Sequence, residues 1–255
     1  MTTMTDELTA ALTLPWHWEW VPGASAGPET RGIWSDHVVE LFEDWTRGGW
    51  DAARAAWPKE AGAEFPFTAE TVGRGTAQWL IDRADKLPKG QRLAWGAGFS
   101  GGWPRWAPVP VVVEFRAPAA DDPIYLMELV GADPAPQNDR RGSATDYVTT
   151  PYGDGLRVLS FDRSTDGMAF GRLDAAMRLD WPAADDGRPA VRLDVVLTTR
   201  VVDMALMAVI GPGVEQLMQR IAAEPLPVRS GPARSAWKAA ASVNVESTNT
   251  EAALQ

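Results

Sequence analysis

Gly171-Arg-Leu-Asp-Ala-Ala-Met-Arg-Leu-Asp-Trp181 and Val191-Arg-Leu-Asp-Val-Val-Leu-Thr-Thr-Arg200 decide how this chain is read. In the first stretch Leu173, Ala175, Met177, Leu179 and Trp181 alternate with Arg172, Asp174, Arg178 and Asp180. In the second, Val191, Leu193, Val195 and Leu197 alternate with Arg192, Asp194 and Thr198. A period of two places each set on one face of a strand. The intervening Pro182–Pro189 supplies a loop, so the pair is expected to be a β-hairpin with one buried and one wet face. A slip of one residue would put the whole apolar set in water, which fixes the register.

Outward from the hairpin, more alternation appears upstream. Leu93, Trp95, Ala97 and Phe99 form one expected strand, and Val109, Val111, Val113 and Phe115 another. Pro110 cannot donate to a ladder, so that second strand is expected to begin at an edge or a bulge. Tyr147–Thr150 and Leu156–Phe161 are expected strands joined at Tyr152–Gly155. Between them, Asp121-Asp122-Pro123 before Ile124–Val130, with Gly131 after, favours a short helix. Downstream, Leu206, Val209, Ile210, Val214, Leu217 and Ile221 keep helical spacing through Gly211-Pro212-Gly213, predicting one kinked helix or two.

The first ninety residues read as helical and tryptophan-rich. Asp6–Leu12 is a short helix candidate, and Pro22–Arg31 reads as a loop. Ser35 is placed as an N-cap, with Val38, Leu41, Phe42 and Trp45 at i, i+3, i+4 and i+7. Gly48-Gly49 is expected to break or bend that helix. Thr68 is the N-cap of the next, with Phe67 and Val72 placed as a hydrophobic staple and Trp79, Leu80 and Leu87 on the buried face.

Together these elements predict an α+β fold, a mostly antiparallel sheet packed by N-terminal helices and a C-terminal helix in a two-layer sandwich. The expected organisation is residues 1–90 as the tryptophan-rich helical part and 91–225 as the antiparallel sheet with its C-terminal helix, the two forming one globular unit, with residues 226–255 as a disordered tail.

Composition narrows the function. The formal charge of −10 over 255 residues argues against nucleic acid and anionic membranes as partners. There is no cysteine, which removes disulfides and thiolate metal sites. Met1–Leu14 lacks the basic and apolar regions of a secretory signal, and no apolar run is long enough to span a membrane. A cytoplasmic location is therefore expected.

Catalytic signals are weak. Gly98-Phe-Ser-Gly-Gly102 matches G-x-S-x-G around Ser100, and Gly96, Gly98 and Gly101 match a dinucleotide motif. Neither is followed by a helix, and both histidines, His17 and His37, precede the serine. A loop between strands is the reading adopted for these glycines. His37 is read as a solvated or cap-bonded residue in a first helical turn, and His17 as lying opposite the tryptophan face. Asp121-Asp122, Asp162 with Asp166, and Asp185-Asp186 fall in expected turns, where Asp is favoured for its own sake. No catalytic residue, metal ligand or cofactor is assigned.

Tryptophan is the unusual feature, with 13 residues, 11 of them before residue 107. Trp45, Trp79, Trp95 and Trp181 occupy expected core positions. Trp16, Trp18, Trp20, Trp34, Trp103 and Trp106 lie outside clear amphipathic patterns and form the candidate partner-binding set. Trp16, Trp18 and Trp20 would share one face of an extended segment.

The final segment, Arg172–Asp180, Val191–Arg200 and the helix around Val214–Ile221, resembles the closing strand–strand–helix of Mog1/PsbP-like domains as found in actinobacterial proteins. The resemblance implies a mostly non-enzymatic accessory or binding protein and brings no catalytic residues. The expected function is binding of another protein or self-association, as an accessory of a secretion or assembly system. The alternative is a glycan-binding or glycan-hydrolysing protein using exposed tryptophans and carboxylates.

Overall fold

The computed structural model describes residues 16–58, 65–98, 109–118, 122–132, 144–183, 189–202 and 204–224. The expected helix at Asp6–Leu12, Ser100, Trp103, Trp106 and the tail beyond residue 224 lie outside the described residues. The fold is α+β, with a seven-stranded sheet and four described helices. The strands are β1 (Trp16–Trp20), β2 (Gln91–Gly98), β3 (Val109–Arg116), β4 (Ala144–Thr150), β5 (Gly153–Arg163), β6 (Ala169–Trp181) and β7 (Val191–Val201). The helices are α1 (Pro28–Ala55), α2 (Ala69–Asp85), α3 (Pro123–Val130) and α4 (Met204–Ala223). All pairings are antiparallel, in the order β1-β2-β3-β7-β6-β5-β4.

The β6–β7 hairpin forms as expected, with the two apolar sets paired on one face. Leu173, Ala175, Met177, Leu179 and Trp181 stand opposite Thr199, Leu197, Val195, Leu193 and Val191. This face packs on α4 through Ile210, Val214, Leu217 and Met218. Following the register outward puts Val111, Val113, Trp16 and Trp18 on the same face, in the same core.

The opposite face is not wet. Across β1 and β2 it is covered by α1 and α2, whose Trp34, Val38, Phe42, Leu80 and Ile81 meet Leu93 and Trp95. Across β5 and β6 it is covered by α3, where Val130 packs with Leu156, Val158 and Ala176. Helices thus lie on both sides of the sheet, one layer more than the two expected. Asp194, expected in water, is 0% exposed and takes both donors of Arg178 at 2.7 and 3.0 Å.

Several local readings shift. α1 begins at Pro28, where proline needs no hydrogen-bond partner for its nitrogen and Glu29 favours the positive helix end. Ser35 is therefore mid-helix, and its hydroxyl donates back to the Arg31 carbonyl. Gly48-Gly49 runs within the same helix, so the expected break does not fall there. Trp79 is exposed, with Arg83 over its ring. Thr68 does cap α2, in a reciprocal capping box completed by Thr71. Phe67 stacks edge-on with Trp57 and Phe65. α3 has its N-cap at Asp122 and ends on Gly131 in the left-handed conformation, as expected.

α4 also reaches groups on both sheet edges. Trp16 N–H donates to Gln216 Oε1 at 2.9 Å, and Arg220 donates to the Trp18 carbonyl. Both groups lie on the side of β1 that has no neighbouring strand, so the helix side chains stand in for one. On the far side, Gln219 donates to the Thr149 carbonyl of β4 at 2.6 Å.

Candidate functional site

The period-two pattern of β1 places Trp16 and Trp18 on the α4 face, and His17 and Glu19 on the α1 face. α1 then lays Trp34 and His37, three residues apart on one side of the helix, over that strand. The chain's two histidines meet one carboxylate there. His17 Nε2 lies 2.7 Å and His37 Nε2 2.6 Å from the same oxygen, Glu19 Oε1. Since a carboxylate only accepts, each imidazole donates its Nε2–H. The other oxygen, Oε2, accepts the indole N–H of Trp34 at 3.2 Å. Trp34 is in turn held edge-on against Trp95, with ring centroids 6.3 Å apart.

Glu19 is buried, and burial pushes its pKa up. The hydrogen bonds and charges of His17 and His37 outweigh that and bring it to about 2. The hydrogen bond to Glu19 raises the pKa of His37, against the opposing effect of burial. Glu19 is therefore an anion at neutral pH. Chemically the cluster offers two imidazole nitrogens and a fixed carboxylate, all donor atoms lying within 4.8 Å of one another. That set can hold protons between the groups or ligate a divalent cation. It is the only such grouping of three among the described residues.

Among the described residues, the candidates Trp16, Trp18, Trp20 and Trp34 do not form an open face. Trp16 and Trp18 stack on each other at 5.3 Å and are 9% and 3% exposed. Trp34 is 0% exposed, and Trp20 is half-buried beneath the guanidinium of Arg92, 4.0 Å from its ring centroid. The reason is glycine. A Cβ on Gly96 would sit 2.4 Å from the Trp18 ring, and one on Gly213 would sit 2.3 Å from the Trp16 ring. Gly96 and Gly98 therefore belong to β2, with Gly96 leaving room for an indole, rather than to a loop. These rings are spent on the chain's own core, and a stacking platform for sugars is not available from them.

His17 lies opposite the Trp16 and Trp18 face, as its alternation with the tryptophans implies, but its meeting with His37 through Glu19 is not visible in that alternation. A helix start at Ser35 puts His37 in a first turn, as a solvated or cap-bonded residue, whereas α1 starts at Pro28. The i, i+3 spacing of Trp34 and His37 was the signal that would have found it.

Comparison with protein-family models, curated proteins and solved structures finds no match to this chain. No helix among the described residues is long and apolar enough to cross a membrane.

Proposed function

We propose that this chain is a non-enzymatic binding or accessory protein that receives an extended segment of a partner protein along the outer edge of β4. The observation that carries the reading is that α4 side chains meet the edge of β1 at Trp16 and Trp18 and the edge of β4 at Thr149, leaving residues 144–147 of β4 exposed. The outer edge of β1 is met by Gln216 and Arg220, as described above. On β4, the two-residue turn at Pro151-Tyr152 is flanked by the pair Thr150–Gly153. Such a flanking pair exchanges its hydrogen bonds inward, so Thr149, Tyr147 and Thr145 turn their backbone groups outward. The Gln219 bond to the Thr149 carbonyl agrees with that parity. Ala144 to Tyr147 are exposed, and the Tyr147 ring is 78% exposed.

Exposed strand edges are templates for pairing with another chain, and main-chain hydrogen bonds supply affinity in that mode. An aromatic side chain beside the edge adds a specific contact. The resemblance of the β6–β7–α4 segment to Mog1/PsbP-like domains supports an accessory role. The net charge of −10 favours a partner that is not itself strongly acidic.

Thr145→Pro tests the reading. It removes one outward donor and leaves the β4–β5 ladder intact, since proline is tolerated on an outward edge position. The wild-type chain should retain a stoichiometric partner, or a second copy of itself, through purification from its native host. The variant should melt at the same temperature and lose that species. Equal retention by the variant, or a wild-type chain that is monomeric and brings nothing with it, argues against the edge as a binding surface.

A further inference from the structure

We infer that His17, Glu19 and His37 form a binding site for one divalent transition-metal ion of the zinc or cobalt(II) type. Two imidazoles and one carboxylate are a recurrent ligand set for such ions, and a soft, thiolate-requiring ion is not suited to it. Three features go beyond a hydrogen-bonded contact between α1 and β1. Both of the chain's histidines are delivered to the same carboxylate oxygen from different elements. The carboxylate cannot swing away, because Trp34 holds its second oxygen. Partners of that kind orient ligating groups in metal sites. The imidazoles also form a rim that is partly open, with His17 and His37 side chains 23% and 34% exposed over a carboxylate at 9%. That opening gives an ion an entry route and leaves room for water to complete its coordination.

The geometry requires a small adjustment. An ion about 2.0–2.1 Å from each ligand in a tetrahedral arrangement separates the ligand atoms by roughly 3.3–3.4 Å. The present separations are 2.6 and 2.7 Å, so each imidazole must draw back by roughly 0.7 Å. Half-exposed side chains can do this by small χ rotations, while the Trp34 bond stays in place. Each imidazole then carries its proton on Nδ1 and presents the Nε2 lone pair to the ion.

The test uses the full chain without a polyhistidine tag, titrated with ZnCl2 while the imidazole 15N and 1H resonances are followed by NMR. With only two histidines in the sequence, both ring systems are read directly. Both should shift and saturate together at one equivalent of zinc, and cobalt(II) should give a visible d–d spectrum that zinc abolishes. His37→Gln keeps an amide donor for Glu19 but supplies no imidazole. It should stay folded and weaken zinc binding by more than the roughly 10–100-fold that loss of an orienting partner costs. Ring resonances of the wild-type chain that do not move at one equivalent overturn the inference. Zinc affinity unchanged in His37→Gln does so equally.

Discussion

The indole N–H of Trp18 donates to the carbonyl of Gly213 at 2.9 Å, joining residues 195 positions apart in the chain. This bond ties the first described strand to the last helix. It explains why the tryptophans of β1 are core. It also explains why a helix tolerates glycine and proline together at Gly211-Pro212-Gly213, since the strand packs directly against that stretch.

Replacing Trp18 with serine should therefore cost about 3–5 kcal/mol, the usual range for truncating a buried large aromatic. Gly213→Ala should cost about 1–3 kcal/mol, because the new methyl meets the Trp16 ring. In contrast, Gly75 lies within α2 with nothing within 4 Å of a Cβ, and Gly75→Ala should stabilise by about 0.5–1 kcal/mol. Urea denaturation of the three variants gives the comparison. A Trp18→Ser chain as stable as wild type would return the β1 tryptophans to the surface.

The Arg178–Asp194 pair supplies a second stability test. With Asp194 fully buried, Asp194→Ala leaves a guanidinium without its main acceptor and should cost about 3–5 kcal/mol. Replacing both residues together, as Arg178→Met with Asp194→Leu, should cost clearly less than the single change, because no uncompensated charge remains. A single variant within about 0.5 kcal/mol of wild type, the range of ordinary surface changes, would mean that this face is as wet as the alternation implies.

The His37–Glu19 contact has a signature in pH. In the presence of a chelator, the pKa of folded His37 lies above its ordinary value of 6.5. Its contribution to stability is then complete below 6.5 and is lost as pH rises through the folded value. Glu19 acts at the other end. Its pKa falls from 4.5 to about 2, so its contribution is present above 4.5 and is lost as pH drops towards 2. His37→Gln should flatten the decline of melting temperature above pH 6.5. A decline as steep in the variant as in the wild-type chain would remove His37 as its cause.

The legible parts of this fold are those where one local rule and the tertiary structure agree. The β6–β7 alternation predicts both strands and the apolar set they bury together, because a period-two chain can bury that set on one face alone. Thr68 and the Asp122–Gly131 stretch marked helix ends, because capping is a short-range interaction. What escaped depends on partners distant in sequence. Asp194 reads as a surface residue until Arg178, sixteen residues away on β6, is placed against it. Trp16 and Trp18 read as a partner-binding face because the glycines that admit them, Gly96 and Gly213, lie about 80 and 195 residues away, beyond any local pattern. His37 is hidden by an N-cap placed eight residues late, at Ser35 in place of Gly27.

Hydrogen–deuterium exchange at single-residue resolution tests the binding edge most directly. In the free chain the outward amides of Thr145 and Tyr147 should exchange rapidly, while the Trp16 amide, held by Gln216, and the inward Val148 amide should be protected. When the partner is bound, Thr145 and Tyr147 should become protected as well. Slow exchange of these two amides in the free chain, or no gain of protection in the complex, would contradict the proposal that β4 is where this protein receives another chain.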